Sequence, residues 1–201
     1  MRRAKVAKKE DCLKKENIDM EILPDHRNSF LVSQDRPDGV KLQIMYEDGE
    51  IFSDLRLDGR FNSENGVILS GILFGIMDVM MWCAILVSTG KICATHTVKV
   101  DFIEPVEPDK PYRVTGRFIG IEGRDVNAAA YIKDGSGNLF ASVNAAFREN
   151  KDVSLEQALK HFFLTGTTPE LRRFFKSLLD EKHDQCEKVK EEGELYPYGP
   201  L

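Results

Sequence analysis

Hydrophobic residues alternate with polar ones early in this chain, coalesce into one long run, and alternate again beyond it. Between Gly39 and Tyr46, Val40, Leu42 and Ile44 alternate with Lys41 and Gln43, which is the period of a half-buried strand. A second strand is expected at Ile51–Leu57. The Asp48-Gly49 pair between the two favours a tight turn, so they should form a hairpin. The long apolar run, Gly66 to Val87, predicts a helix from about Ser70 to Ser88, closed by Gly90. It is apolar nearly all round, so other structure must enclose it.

After the helix, Thr95–Phe102 reads as a strand with Val98, Val100 and Phe102 on one face and Lys99 and Asp101 on the other. The Pro105–Pro111 stretch breaks it. Strands follow at Tyr112–Ile121, Val126–Lys133 and Leu139–Arg148, with turns at Glu122–Asp125 and Asp134–Asn138. Leu139, Ala141, Val143, Ala145 and Phe147 share a face of the last one. Two strands, one buried helix and four strands in an antiparallel meander make the chain α+β, because a single helix lies between strands. A curved antiparallel sheet around that helix satisfies both burial demands.

The C-terminal part changes character. Ser154-Leu-Glu-Gln157 has the spacing of a capping box. Leu155, Ala158, Leu159, Phe162 and Phe163 then recur at helical spacing. Thr168-Pro169-Glu170 starts a second helix, with Leu171, Phe174, Phe175, Leu178 and Leu179 as its stripe. Each stripe must cover something, and the charged run from Asp180 to Glu194 reads as a solvated helix end. The organisation expected is an N-terminal arm at 1–29, a central domain at 30–150 and a helical extension at 151–201.

A length of 201 residues suits one domain with appendages, and 42% hydrophobic against 30% charged residues suits a soluble globular one. The net charge of −5 argues against nucleic acid as the main partner. The basic residues from Arg2 to Lys15 are interrupted by Glu10 and Asp11 and carry no aromatic, which reads as a solvated arm. Cys12, Cys83, Cys93 and Cys186 lack metal-ligand or redox spacing, so reduced thiols in the cytoplasm are expected, with no metal and no cofactor. The N-terminus has no apolar signal segment, and its acidic residues argue against a transit peptide.

Asp78 is the only ionisable side chain in the long run apart from the Cys83 thiol. A buried carboxylate is costly, so it should be paired, protonated or retained for chemistry. The run is long enough to cross a bilayer. Asp78 would then sit near mid-membrane, at a cost of roughly 2.5–3.5 kcal/mol, and the flanks lack a positive cluster or an aromatic belt. A buried helix, and no membrane, is the expectation.

Three blocks resemble the hotdog-fold acyl-CoA thioesterases, in the branch of the phenylacetate-pathway enzymes, over about Phe30 to Arg148. Phe30–Leu42 is similar to a segment that leads into the fold. Leu69-Ser70-Gly71, six residues and Asp78 resemble the family signature, in which His-Gly-Gly precedes an Asp or Glu at that spacing. Thr95–Val106 is similar to the strand after the helix, which begins with Ser or Thr and ends in Pro.

The resemblance implies a thioester hydrolase in which Asp78 acts as general base on water or as nucleophile, strengthened by a dry pocket. Backbone N–H groups of Ser70 and Gly71 at the helix start would polarise the thioester oxygen, a contribution on the order of 3 kcal/mol. Thr95 would lie near the attacking water. The family builds its sites across a subunit interface, which implies a homodimer or a dimer of dimers acting on acyl-CoA. Two departures are plain: Leu69 stands where the signature has His, and Ser70 where it has its first Gly. The water-placing Asn or Gln of some relatives falls near Ser63, with Asn62 and Asn65 as neighbours.

Leu69, Asn65, Ser63, Trp82 and Arg124 are thus the substrate-binding candidates. Plainer readings stand beside them. Asp78 can be structural, Gly71 and Gly75 can serve close packing, and Trp82 can be core or the wall of an acyl pocket. Arg124 and Lys133 can meet CoA phosphates or be surface charge. His96 shares parity with Val98, which puts it on the same face as a core or interface histidine. The rival function is a non-catalytic protein binding acyl-CoA or a small ligand. A dehydratase-like activity needs a His with an acidic partner, and no such motif is evident.

Overall fold

The computed structural model describes residues 20–178, apart from 161 and 165. Among them run β1 (Glu21–Ile22), β2 (Asp25–His26), β3 (Met45–Glu47), β4 (Glu50–Leu55), α1 (Ser70–Thr89), β5 (Cys93–Phe102), β6 (Tyr112–Glu122), β7 (Asp125–Asp134), β8 (Leu139–Glu149), α2 (Leu155–Leu159) and β9 (Phe162–Phe163). A further helix, α3, covers 169–178. Seven strands form one sheet in the order β1-β3-β4-β6-β7-β8-β5, and its pairings are antiparallel. β2 and β9 pair separately.

Local chemistry explains several element ends. Asp48 (φ 50) and Gly49 (φ 84) form the two-residue turn between β3 and β4, since both positions need positive φ. Gly90 closes α1 in the left-handed conformation at φ 67, its N–H donating to the Leu86 carbonyl. The Ser154–Gln157 capping box forms in both directions at the start of α2.

α1 lies across the inner face of the sheet. Leu73, Ile76, Met77, Met80 and Ala84 recur at i, i+3, i+4, i+7 and i+11 and are fully enclosed. Gly116 in β6 makes this approach possible. A Cβ there would lie 2.6 Å from the Met80 carbonyl carbon and oxygen, so only glycine admits the helix backbone. Ala141, Val143, Ala145 and Phe147 of β8 line the same core. α1 is long and apolar enough to cross a membrane, but half of its most apolar window is buried within this fold.

Four expectations change. The sheet is not a simple meander after the helix: β5 runs along the far edge beside β8, while β4 occupies the free side of β6. A 20-residue helix spans about 30 Å, enough to carry the chain across strands spaced about 4.8 Å apart. The Val40–Ile44 segment is not in a ladder strand, because Lys41 takes φ 62 and the N–H groups of Val40 and Leu42 bond to the carbonyls of Phe30 and Leu31. Phe162 and Phe163 do not extend α2. They form β9 against β2, and the helical stripe stops at Leu159. Finally, β5 shifts register between Thr95 and Thr97, so His96 is the extra residue of a bulge, and it is exposed rather than a core histidine. The run from Asp180 to Glu194, the basic arm, Cys12, Cys186 and Leu179 lie outside the described residues.

Candidate active site

The His96 bulge decides which side chain meets Asp78. By strict alternation Thr95 belongs with Lys99 and Asp101 on the outer face. The extra residue turns Thr95 inward instead, opposite Phe147. Its Oγ1 then donates a hydrogen bond to Asp78 Oδ1 at 2.7 Å. Among the described residues this hydroxyl is the hydrogen-bond partner of the carboxylate, and no cation pairs with it. Burial against apolar neighbours pushes the Asp78 carboxyl above its ordinary value, and the Thr95 bond opposes that shift in part. A half-buried carboxylate without a cation and with one oxygen engaged keeps its second oxygen for a proton.

The helix start is open. Leu69 is the N-cap and offers no capping side chain. Its carbonyl accepts from Ile72 N (2.9 Å) and Leu73 N (3.3 Å). The N–H groups of Ser70 and Gly71 precede these and have no intrahelical acceptor. A Cβ on Gly71 would meet nothing within 4 Å, so close packing does not explain that glycine. Gly75 faces Leu31, where a Cβ would make ordinary contact at 3.5 Å. Leu69 itself is 47% exposed.

The other candidates scatter. Ser63 N–H and Oγ both donate to the Val67 carbonyl, at 2.8 and 3.1 Å, within the loop before α1. Asn65 is exposed in the same loop, which Gly66 (φ 76) completes. Arg124 sits in the β6–β7 turn, on an open depression of about 530 Å3 shared with Lys91, Arg148 and Lys151. Two of those cations are paired, Lys91 with Glu149 and Arg148 with Asp125, at 2.6 and 2.8 Å. Lys133 lies over the Tyr131 ring, 4.8 Å from its centre. Trp82, one turn beyond Asp78, donates its indole N–H to the Cys93 carbonyl at 3.1 Å and stacks on Phe162. Among the described residues no three His, Cys, Asp or Glu side chains group as metal ligands.

No known family profile matches the sequence, and no curated protein matches it. Solved structures match in shape. A thioesterase superfamily protein superposes with a TM-score of 0.57 at 18% identity, over 61% of this chain and 61% of its own length. The chain has the hotdog fold. The E. coli PaaI protein of the phenylacetic acid degradation operon superposes at 0.51 with 14% identity, over 55% of this chain and 84% of its own. A Streptococcus mutans protein bound to acetyl CoA gives 0.50 and 12%, over 54% and 88%. At these identities the hotdog architecture is what is shared.

Neither the bulge nor its consequence for Thr95 was legible in the alternation of β5. Also missed was a pocket along one flank of α1, lined by Phe162 and Phe175, which the sequence pattern marks only as stripe residues.

Proposed function

We propose that this hotdog protein hydrolyses acyl-CoA thioesters, with Asp78 as general base on water or as nucleophile. The observation that carries the reading is the Asp78 carboxylate itself, raised in pKa, uncompensated by a cation and oriented by Thr95 Oγ1 at 2.7 Å. With Oδ1 held by Thr95, Oδ2 takes the proton of an attacking water. The neighbour that carries acetyl CoA supports a CoA thioester as substrate.

The oxyanion donors in this reading are Gly71 N–H and Ser70 N–H. Asp78 lies seven positions beyond Gly71 along the helix, a rise of about 10 Å. One thioester carbonyl cannot touch both groups of the same chain. Each site therefore needs a second copy, with the helix start of one protomer facing the carboxylate of its partner. Edge strand β5 supports this: Val98 and Phe102, on the inner face, are 39% and 47% exposed and call for a cover. The assembly is a homodimer or a dimer of dimers. The catalytic unit is the domain at 30–150, with Leu69, Asn65, Ser63, Trp82 and Arg124 around the substrate. The protein works in the cytoplasm, in keeping with buried, unbridged Cys83 and Cys93.

One observation favours a second reading, a non-catalytic acyl-CoA binder: an exposed Leu69 occupies the position of the signature His and cannot orient water. A panel of short, long and aryl acyl-CoAs with detection of released thiol separates the two. Wild type should release CoA, and Asp78→Asn should lower kcat/KM about 100-fold or more with the oligomer unchanged. Equal turnover in the variant removes Asp78 from the mechanism. Calorimetric CoA binding without hydrolysis selects the second reading.

A further inference from the structure

A partly open pocket of about 320 Å3 lies along one flank of α1. Val79, Trp82, Cys83 and Leu86, at i, i+3, i+4 and i+7, form its floor. The pocket is about twice the ~150 Å3 cavity that takes up benzene, and it falls at the small end of ligand pockets, about 300–1,000 Å3.

The chemistry of the walls is uniform. Phe162 and Phe175 face the helix, and Trp82, Phe162 and Phe175 stack in sequence with ring centres 6.0 and 6.2 Å apart. Among the described residues that line the space there is no Asp, Glu, Lys or Arg. The Cys83 thiol is pushed up to about 12 by burial, so at neutral pH it is an uncharged, soft apolar surface. Polar groups gather in one segment, where Ser29 and His26 lie. The Ser29 hydroxyl oxygen already accepts from the N–H groups of Leu31 and Val32. Such a space rejects charge and offers water few partners.

The floor belongs to the hotdog helix, but the walls come from Leu23, Val32 and Ile44, before α1, and from Ala158, Phe162 and Phe175, after β8. We propose that this cavity is a binding site for an uncharged hydrocarbon group, the size of a naphthyl ring system or a medium-length chain. Trp82 connects it to Asp78. The indole bonds to the Cys93 carbonyl, two residues before the Thr95 that holds the carboxylate. The hydrocarbon comes either from the acyl group of a thioester or from a free apolar molecule. The site itself does not depend on thioester hydrolysis.

Trp82 is the only tryptophan of the chain, so it reports occupancy directly. The full-length protein is titrated with N-phenyl-naphthylamine, following Trp82 quenching, and then with decanol as competitor. Saturable binding of one probe per chain, displaced by decanol, is expected. Val79→Phe and Ala158→Phe, which fill the space, should each weaken binding about tenfold or more. Their melting temperatures, unchanged or raised, show that the fold survives. Ile119→Lys, at an exposed position of β6 outside the pocket, should bind as wild type does.

The Asp78→Asn protein is then given decanoyl-CoA. Competition with the probe assigns the site to the acyl group, and competition by decanol alone assigns it to a free ligand. Non-saturable quenching in wild type overturns the proposal. So does undiminished binding in both filled variants, or loss of binding in Ile119→Lys alone.

Discussion

The two sides of α1 are built on different terms. Towards the sheet, Ile76, Met77 and Met80 are sealed, and the helix backbone itself rests on Gly116. Towards the terminal segments, the same helix presents Trp82 and Val79 to a cavity of about 320 Å3. Asp78 stands between the two, at the edge covered by β5. The close side carries the fold, where a single added methyl has nowhere to go. The loose side and the edge hold the groups that can meet a ligand. Both lie away from the densest packing, although Asp78 does not itself line the pocket.

The strongest challenge to this contrast is Gly116→Ala. Its Cβ meets backbone atoms that no rotamer change can move, so a loss of about 3 kcal/mol is expected, read as a fall of roughly 10 °C in Tm. A smaller loss would mean that the sheet side is less rigid than its packing implies. On the loose side, Ser154→Ala removes the capping box of α2, the helix that carries Ala158 into the cavity wall. It should cost about 1 kcal/mol and red-shift Trp82 emission. Gly71→Ala separates the two kinds of glycine. Its Cβ has open space, so stability should hold or rise by less than about 1 kcal/mol, while turnover falls if substrate approaches that N–H closely.

The subtlest effect concerns Asp78 and pH. Burial raises its carboxyl above the ordinary 3.8, so the folded chain holds this proton more tightly than the unfolded chain does. Its contribution favours folding below 3.8 and is lost as pH rises through the higher folded value. Asp78→Asn removes the buried charge and still accepts from Thr95. The variant should therefore melt above wild type at pH 7, with the gap closing as pH falls toward 3.8. A variant less stable than wild type at neutral pH would make Asp78 a structural residue.

Local signals made much of the fold legible. The apolar run, closed by Gly90, gave α1 nearly to the residue, and Asp48-Gly49 gave the hairpin, because turn and cap preferences act within a few residues. Asp78 stood out because one carboxylate in an apolar run is expensive. Alternation failed where distant chain segments decide the outcome. Val40 and Leu42 bond to Phe30 and Leu31 instead of joining a ladder, and Phe162 pairs with His26 instead of continuing a helix.

The sequence by itself determined the helix, the hairpins, the caps and the isolation of one acid, since each follows from propensity and period over a short window. Only the tertiary structure decided that Thr95 meets Asp78, that Gly116 is the glycine on which packing rests, and that segments before α1 and after β8 come together to wall a pocket. The reason is register. One extra residue at His96 turns a side chain to the other face, and no count along the strand records which residue its neighbour leaves unpaired.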